Sequence, residues 1–481
     1  MSEKVAYKDL REFLEMVKEA GELEVVDGAS WEEDIGMAAE LLHQTSGSPA
    51  VLFDNIPGYP SGYRVLVNAL RTEQRLAIAT GLPQGLGKLG LSEAIARKFK
   101  NSKPIPPQYV DDGPILENVH EGDDVNVLEF PVPMWHEFDG GRYIGTGSYD
   151  ITIDPDEKWV NFGTYRVMVD DEKHVFFYIS PGKHGRIHRD KYFDRKEPCP
   201  VAVVVGGDPL LYLAGCTELP YGLSEYDWAG GVRGEPFKVI KGKYTGLPIP
   251  ADAEIVLEGF AHYDDLKEEG PFGEWTGYYA SGSRKEPRIE VKAVYHRNNP
   301  IILGCPPNRP PDEIAFYRAF MRSPLLKEEM EKAGIPDIKA VWGHEAGSSR
   351  LLLAVAIKQR YPGHAMQAGH VASQCHVGAY CGRYVIVVDE DVDVTNLDEL
   401  MWAVCTRSDP ATSIDIINRA WSTHLDPRIS PEDKEKGRLW NSRAIIDATR
   451  PYDWKDEFPM VNVPSPERKK RTLDKWGYLL K

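Results

Sequence analysis

No apolar run in the sequence is long enough to cross a bilayer. The longest, such as Leu351 to Ile357, have the length of a buried strand, whereas a spanning helix needs about 20 residues. Positive charge is also in deficit: 57 Lys and Arg face 74 Asp and Glu, a formal net charge of -17. Such a chain repels a phosphate backbone, and Arg468, Lys469, Lys470 and Arg471 form only a short basic run, so neither nucleic acid nor a membrane is expected as a partner. Cysteine is sparse. The six residues (Cys199, Cys216, Cys305, Cys375, Cys381, Cys405) are scattered without a CxxC pair, which argues against a disulfide frame and a structural zinc site and for a reduced, cytoplasmic setting. Met1 to Gly21 is charged and helical in pattern rather than apolar, so no signal peptide is expected. A Walker loop and a GxSxG elbow are missing, and Gly347 and Ser348 stand where His344-Glu345 would need the second histidine of HExxH.

What is present is an ordinary globular composition, 42% apolar and 27% charged, in 481 residues, with room for two to four domains. Leu10, Phe13, Leu14 and Val17 have helical spacing, with Gly21 placed to end the helix, and a second helix is expected from Trp31 to His43. The proline-rich stretch Lys103 to Gly113 reads as a linker. In the middle third, Asp150–Ile153, Trp159–Val169, His174–Ile179, Val201–Val205, Glu254–Ala261 and Ile289–Tyr295 read as strands. Turn clusters at Asp154–Lys158 and Asp170–Lys173 separate them, which predicts antiparallel structure of barrel type. In the last third, helix Glu313–Ala333 precedes strands Ile338–Trp342 and Leu351–Ile357, helix His364–Gln374 and strand Tyr384–Val388. That βαβ order predicts a parallel sheet with a right-handed crossover. The fold class is therefore mixed α/β in three parts: an N-terminal α/β region and linker (1–115), a β-barrel domain (116–310) and a C-terminal α/β domain (311–481). Gly85-Leu86-Gly87-Lys88-Leu89-Gly90 fits GxGxxG, but no buried strand precedes it and Pro83 interrupts the approach. A turn between helices with Ser92 as the next N-cap is expected instead.

Chemistry concentrates between Trp159 and Gly277. Glu268-Glu269-Gly270-Pro271-Phe272-Gly273-Glu274 sets carboxylates at both ends of a Gly-Pro-Phe-Gly turn, so Glu269 and Glu274 can converge on one cavity and split their pKa values; the plain alternative is a solvated loop. In Asn161-Phe162-Gly163-Thr164-Tyr165-Arg166, an Asn and an Arg inside an apolar strand need partners, or the strand lies at an edge with both in water. Their spacing puts them on opposite faces of a regular strand unless Gly163 carries a bulge. His184, after Ser180-Pro181-Gly182-Lys183, and Glu225, in Leu219–Glu225, are singly read as structural. With Asn161 they make an amide oxygen, imidazole and carboxylate set suited to Mg²⁺ or Mn²⁺ bound partly by phosphate.

Trp159-Val160-Asn161 with Arg166, Pro181-Gly182-Lys183-His184, Gly222-Leu223-Ser224-Glu225 and Glu269-Gly270-Pro271-Phe272-Gly273-Glu274, in that order, resemble the UbiD family of reversible decarboxylases that use prenylated FMN. The resemblance runs from about Pro131 through Glu390, and the domain order extends it over nearly the whole chain. It implies a central split β-barrel holding the flavin, with a C-terminal α/β domain over the active site. It implies that Asn161, His184 and Glu225 chelate Mn²⁺ or Mg²⁺ against the flavin phosphate, and that Phe162, Gly163, Thr164, Tyr165 and Lys183 line the cofactor. Arg166, Glu269 and Glu274 correspond to the family's Glu-Arg-Glu network, and K⁺ is expected at backbone oxygens near Trp159, Ala214 and Thr217. Related decarboxylases can place a Lys near the flavin where Cys375-His376-Val377-Gly378 stands here, so His376 is a cofactor-side candidate that departs from that pattern.

The expected activity is reversible, non-oxidative decarboxylation of an aromatic or heteroaromatic acid, with Glu274 as proton donor. The partners implied are the acid, CO₂, a flavin prenyltransferase as cofactor supplier, and further copies of the chain in a dimer or hexamer built with a C-terminal segment. The closing segment Ala444 to Pro459 resembles relatives acting on phenolic or heteroaromatic acids rather than cinnamic acids. Cys305-Pro306-Pro307-Asn308-Arg309 is a candidate pocket wall, with Arg309 either reading an anion or lying at the surface. Two rival readings are a conventional FMN oxidoreductase on a split barrel and a non-catalytic subunit of a larger carboxylase.

Overall fold

In the computed structural model, which describes residues 4–480, Leu10, Phe13, Leu14 and Val17 form the buried stripe of helix Leu10–Glu19. Asp9 caps this helix by accepting the Glu12 N–H at 2.9 Å. The second helix is Asp34–Gln44. Beside them lies a mixed sheet in the order Leu23–Asp27, Ala50–Asp54, Arg64–Val67, Ile301–Gly304. Its last strand comes from the far end of the central region and runs parallel to Arg64–Val67. The proline-rich linker is not free either, because Gln108–Tyr109 within it pairs with Lys238–Lys241. Helix Gly87–Asn101 begins inside the Gly85–Gly90 motif. Ser92 is therefore a buried interior residue donating to the Phe320 carbonyl at 2.9 Å, not the expected N-cap. Packing against helix Glu313–Lys332 carries the helix back past Ser92.

The central region is a nine-stranded antiparallel sheet. Its path is Tyr143–Gly145, Val167–Asp171, His174–Phe176, Arg284–His296, Ile255–Glu269, Cys199–Val205, Ser148–Ile153, Val160–Gly163, with Asn118–Glu121 also on Arg284–His296. The single strand expected over Trp159–Val169 is thus two strands, near opposite ends of the sheet. Six strand spacings lie between them, about 29 Å if the sheet were flat at ~4.8 Å per strand. The chain crosses in four residue steps, Gly163 to Val167, which reach at most about 14 Å. The sheet must therefore curl until its ends nearly meet, giving a split barrel with Thr164, Tyr165 and Arg166 across the seam. Gly163 allows the crossing, since a Cβ there would lie 2.5 Å from the Tyr165 hydroxyl.

The C-terminal sheet has the order Ile338–Gly343, Leu352–Ile357, Tyr384–Asp389, Trp440–Ala448, Ile414–Trp421. Its three middle strands are parallel, and helix His364–Gln374 makes the crossover expected from the sequence. One apolar cluster joins Phe13 of the first helix, Tyr149 and Ile151 of the barrel, and Phe320 and Trp342 of the C-terminal region. A second packs Phe53, Val65 and Val67 of the N-terminal sheet against Val201, Val203 and Leu257 of the barrel. Among the described residues, no helix is long and apolar enough to cross a membrane. Because the seam tolerates no side chain at Gly163, Gly163→Ala should destabilise the fold by the ~1–3 kcal/mol typical of overpacking. A thermal midpoint equal to that of the unaltered protein would show that the crossing has room to relax.

Candidate active site

The seam brings together the three residues singled out for acid–base work. Glu269 is the last residue of strand Ile255–Glu269, and Gly270, at φ +90°, turns the chain so that Glu274 comes back beside it. Arg166 meets Glu269 through a two-pronged contact, Nε to Oε1 at 2.9 Å and Nη2 to Oε2 at 2.6 Å, and its remaining prong, Nη1, donates to Glu274 Oε1. Tyr143 donates to Glu269 Oε1 at 2.9 Å, and the guanidinium lies over the Tyr178 ring, 4.3 Å from its centre. Glu269 is fully buried, and Arg166 and Glu274 are nearly so. Glu268 is exposed, so the solvated-loop reading holds for one glutamate of the pair and fails for the other.

One cation cannot neutralise two buried carboxylates, and the imbalance falls on Glu274. Burial pushes its carboxyl above the ordinary range, and Glu269 adds to this, while Arg166 and Arg284 pull the other way without cancelling it. Burial disfavours a charged Arg166, but Glu274 and Glu269 outweigh that and hold the guanidinium firmly protonated. The turn is braced from behind by residues that carry no recognisable sequence pattern. Asp139 accepts the Gly273 N–H at 2.9 Å and pairs with His136 at 2.9 Å. His136 reaches Asn308 at 2.9 Å, and Asn308 reaches His43 at 2.8 Å. Tyr143, Tyr178, Arg284, His136 and Asp139 were all missed in the sequence; the i, i+3 spacing of His136 and Asp139 was the one available hint.

Asn161 and Glu225 are buried together. The Asn161 amide, in its flipped orientation, donates to Glu225 Oε1 at 3.2 Å, and Glu225 Oε2 accepts the Phe162 N–H at 2.9 Å. Unflipped, two oxygens face each other at that distance, a contact that a proton on Glu225 or a cation between them would relieve. Burial pushes the Glu225 carboxyl up to about 8, and a bound cation would offset that burial. The half-buried His184 opens helix His184–Asp194, with its ring 5.1 Å from that of Trp159. Burial and Lys183 lower its pKa, favouring the neutral imidazole that ligates metals. The donor set fits a divalent ion. The backbone oxygens near the expected K⁺ position already accept protein donors: Asp154 N–H reaches the Trp159 carbonyl, Thr217 N–H the Ala214 carbonyl and Leu219 N–H the Thr217 carbonyl.

Of the remaining candidates, the Phe162 ring is core, packed between Tyr149 and Tyr226, and only its N–H faces Glu225. Thr164 is held by its N–H on the Gly215 carbonyl, and burial raises the Tyr165 phenol beyond its ordinary value. Lys183 donates to Glu218 at 3.2 Å, and Arg350 and Arg322 approach the same carboxylate at 3.6 and 3.8 Å. Three cations therefore share one carboxylate, a surplus suited to a phosphate, while Arg318 nearby faces Asp312. His376 is exposed at the start of a one-turn helix whose Val377 carbonyl accepts from Arg322, and it is not drawn into the acid–base cluster. Arg309 is exposed near Gln44, as a surface arginine. A cavity of about 550 Å³ opens beyond Glu274, between Trp275, Thr276 and Tyr278 of the barrel and Gly347, Leu351 and Cys381 of the C-terminal domain.

The class of the protein follows from a split barrel between two α/β units that carries an acid–arginine–acid seam, with an interdomain cavity starting one residue past Glu274. Three family models, each described as a domain of 3-octaprenyl-4-hydroxybenzoate carboxy-lyase, match in order: the N-terminal domain over residues 14–90, the Rift-related domain over 108–310 and the C-terminal domain over 315–448. The chain belongs to the UbiD family of carboxy-lyases. It is 31% identical to pyrrole-2-carboxylic acid decarboxylase of Pseudomonas aeruginosa, over 92% of this chain and 91% of that one. It is 33% identical to phenolic acid decarboxylase of Bacillus subtilis, over 93% of each. Among solved structures, vanillic acid decarboxylase of Sedimentibacter hydroxybenzoicus in its open form superposes with a TM-score of 0.85 at 31% identity, covering 99% of this chain and all of that one. The UbiD-class enzyme HmfF of Pelotomaculum thermopropionicum in complex with FMN gives 0.85 at 26% identity, covering 96% and 98%.

Tyr143 offers a clean test of the seam, because its hydroxyl supports Glu269 without touching Glu274. Tyr143→Phe should cost about 1.5–3 kcal/mol, the range for hydrogen bonds to charged groups. In denaturant unfolding the loss should shrink to the ~0.5–1.5 kcal/mol of a neutral hydrogen bond when Glu269 is already Gln, whose amide oxygen still accepts; equal losses in both backgrounds would mean that the charge of Glu269 is not what the hydroxyl supports.

Proposed function

We propose that the protein is a reversible, non-oxidative decarboxylase of an aromatic or heteroaromatic carboxylic acid, phenolic acids included, that uses prenylated FMN with Glu274 as the proton donor. The observation that carries this reading is Arg166 held between Glu269 and Glu274 in the barrel seam, beside the interdomain cleft. The acid class is supported by the relatives, which are decarboxylases of pyrrole-2-carboxylic, phenolic and vanillic acids. The cofactor is supported by HmfF, solved with FMN and, in an evolved dimeric form, with prenylated FMN.

Loss of CO₂ from an sp² carbon leaves an electron pair that no side chain stabilises, and prenylated FMN supplies that sink when bound. The protein's part is to bind, orient and deliver a proton. Asn161, His184 and Glu225 would hold Mn²⁺ or Mg²⁺ against the cofactor's phosphate, with K⁺ at the backbone oxygens near Trp159, Ala214 and Thr217. The cations around Glu218 make the surrounding potential positive. Arg166 spends two of its prongs on Glu269 and one on Glu274, fixing the donor's position. The Glu274 Oε–H bond breaks as a C–H bond forms at the carbon that carried the carboxylate, and water restores the proton. The reverse sequence fixes CO₂ when it is abundant. The cleft between the barrel and the C-terminal domain would close over the substrate to exclude water. Exposed Leu473 and Trp476 on helix Pro466–Trp476 suit self-association of the chain through its C-terminal segment, as a dimer or hexamer.

Two measurements test the scheme. Glu274→Gln keeps the shape and removes the acid, so turnover should fall about a hundredfold or more, the usual scale for general acid catalysis, with flavin content unchanged. In the unaltered enzyme the donor deprotonates as pH rises through its upshifted pKa, so decarboxylation should fall on the alkaline side, and this limb should vanish in the variant. Near-normal turnover in Glu274→Gln with flavin bound would move the proton donor elsewhere. His184→Ala, after co-expression with a flavin prenyltransferase, should lose metal and flavin together, read by elemental analysis and by the spectrum and mass of the bound cofactor. Full flavin content in that variant would remove the metal assignment.

A further inference from the structure

Away from the seam, three side chains that the proposed reaction does not use converge behind the barrel. His120 lies on strand Asn118–Glu121, Glu129 ends the short turn Val127–Glu129, and His296 is the last residue of strand Arg284–His296. One nitrogen or oxygen from each lies within 4.8 Å of the other two. The strand pairing fixes two of them, since Asn118–Glu121 runs antiparallel to Arg284–His296 with Asn118 opposite His296 and His120 opposite Val294.

The state of His296 can be read from its partner. Its Nδ1 lies 2.9 Å from the Arg297 carbonyl, which only accepts, so Nδ1 carries the proton and Nε2 the lone pair. His296 is 3% exposed, and Nε2 is buried with no hydrogen-bond partner. A buried lone pair left this way is costly unless something coordinates it or donates to it. A backbone carbonyl that fixes the far ring nitrogen is also how ligating histidines are held in metal sites. Glu129 Oε1 is buried and lies 3.1 Å from His120 Nδ1, so these two ligand atoms are already drawn together. The rings of Phe130 and Tyr63 wall the inner side, at 5.4 and 5.9 Å from His296. The outer side is open through His120 and Glu129, whose side chains are 30% and 20% exposed.

We propose that His120, Glu129 and His296 bind a zinc ion, with water in the fourth position. Two imidazoles and a carboxylate are a three-ligand set suited to tetrahedral Zn²⁺, with bonds of about 2.0–2.2 Å. Mg²⁺ and Ca²⁺ prefer oxygen ligands in greater number. The His120–Glu129 separation is already near a tetrahedral edge, and the remaining closure falls on these two partly exposed side chains, while His296 stays anchored. The ion ties the segment leading into the barrel to the end of a central strand, where Asn298 and Asn299 receive Arg11 and Arg64 of the N-terminal region. It is a staple within the barrel domain, outside the reaction.

Cobalt(II), a spectroscopic stand-in for zinc, tests this on the full chain stripped of metal with a chelator. One equivalent of Co²⁺ should give the intense visible bands of a four-coordinate site, displaced by Zn²⁺ and not by Mg²⁺. His120→Ala and Glu129→Gln should each abolish the bands, weakening affinity by more than the ~10–100-fold that outer partners of a metal site are worth. His184→Ala should leave them intact, because Co²⁺ at the oxygen-rich set of Asn161, His184 and Glu225 absorbs only weakly. Circular dichroism of the two variants verifies that they fold; His120 and Glu129 are partly exposed, so both substitutions should be tolerated. Weak bands only in the unaltered protein, bands that survive both variants, or bands lost in His184→Ala would each overturn the assignment.

Discussion

Arg166 is the residue on which the central domain turns. The sheet closes only because the chain crosses the seam in the four steps from Gly163 to Val167, and Arg166 stands in that crossing with a buried positive charge. Such a charge persists only with partners, and it finds two carboxylates on the turn that ends the longest strand. Removing one member of a buried ion pair costs on the order of 3–5 kcal/mol, because the other is left uncompensated. The contact that closes the barrel is therefore also the contact that sets the acid's position and its protonation.

The acid is then tied to parts of the molecule far from it in sequence. Gly273 hangs on Asp139, Asp139 on His136, His136 on Asn308, and Asn308 on His43 at the end of helix Asp34–Gln44. The pairing of His136 with Asp139 outweighs burial and raises the imidazole's pKa, so the line carries charge as well as hydrogen bonds. The opposite side of the turn borders the cleft to the C-terminal domain, where Thr276 meets the Leu425 carbonyl.

What the sequence carried most clearly was local periodicity. Helix His364–Gln374 and the strands around it were legible because each buries a regular stripe within its own residues. Strand Ile255–Glu269 was seen only to Ala261, since His262 to Glu268 is largely exposed and its pairing depends on backbone bonds that no side-chain pattern reports. The apolar run Trp159–Val169 concealed the seam for the opposite reason: both of its strands are buried, and nothing local marks where the chain leaves one edge for the other. Within the site, Glu269 and Glu274 were found through their turn, but consecutive residues in a strand face opposite ways, so only the fold could separate buried Glu269 from exposed Glu268. Asn161 and Arg166 did not need a bulge, because Asn161 lies on the strand before the crossing and Arg166 within the crossing itself. Tyr143 and Asp139 were invisible, since neither carries meaning until the sheet has curled.

The charge distribution follows from the same division of labour. A chain with a net charge of -17 repels small anions at long range, yet the proposed substrate and the cofactor's phosphate are both anionic. At physiological ionic strength charges are screened beyond about 8 Å, so what an anion meets at the cleft is the local cluster rather than the whole molecule. One such cluster is at Glu218, whose single carboxylate is shared by Lys183, Arg322 and Arg350. Burial, with Arg350 beside it, pushes Arg322 down to about 9, the sign of cations held together against their own repulsion. Glu218 alone does not relieve that repulsion. A phosphate or carboxylate would, which supports the proposed place of the cofactor's phosphate beside Lys183.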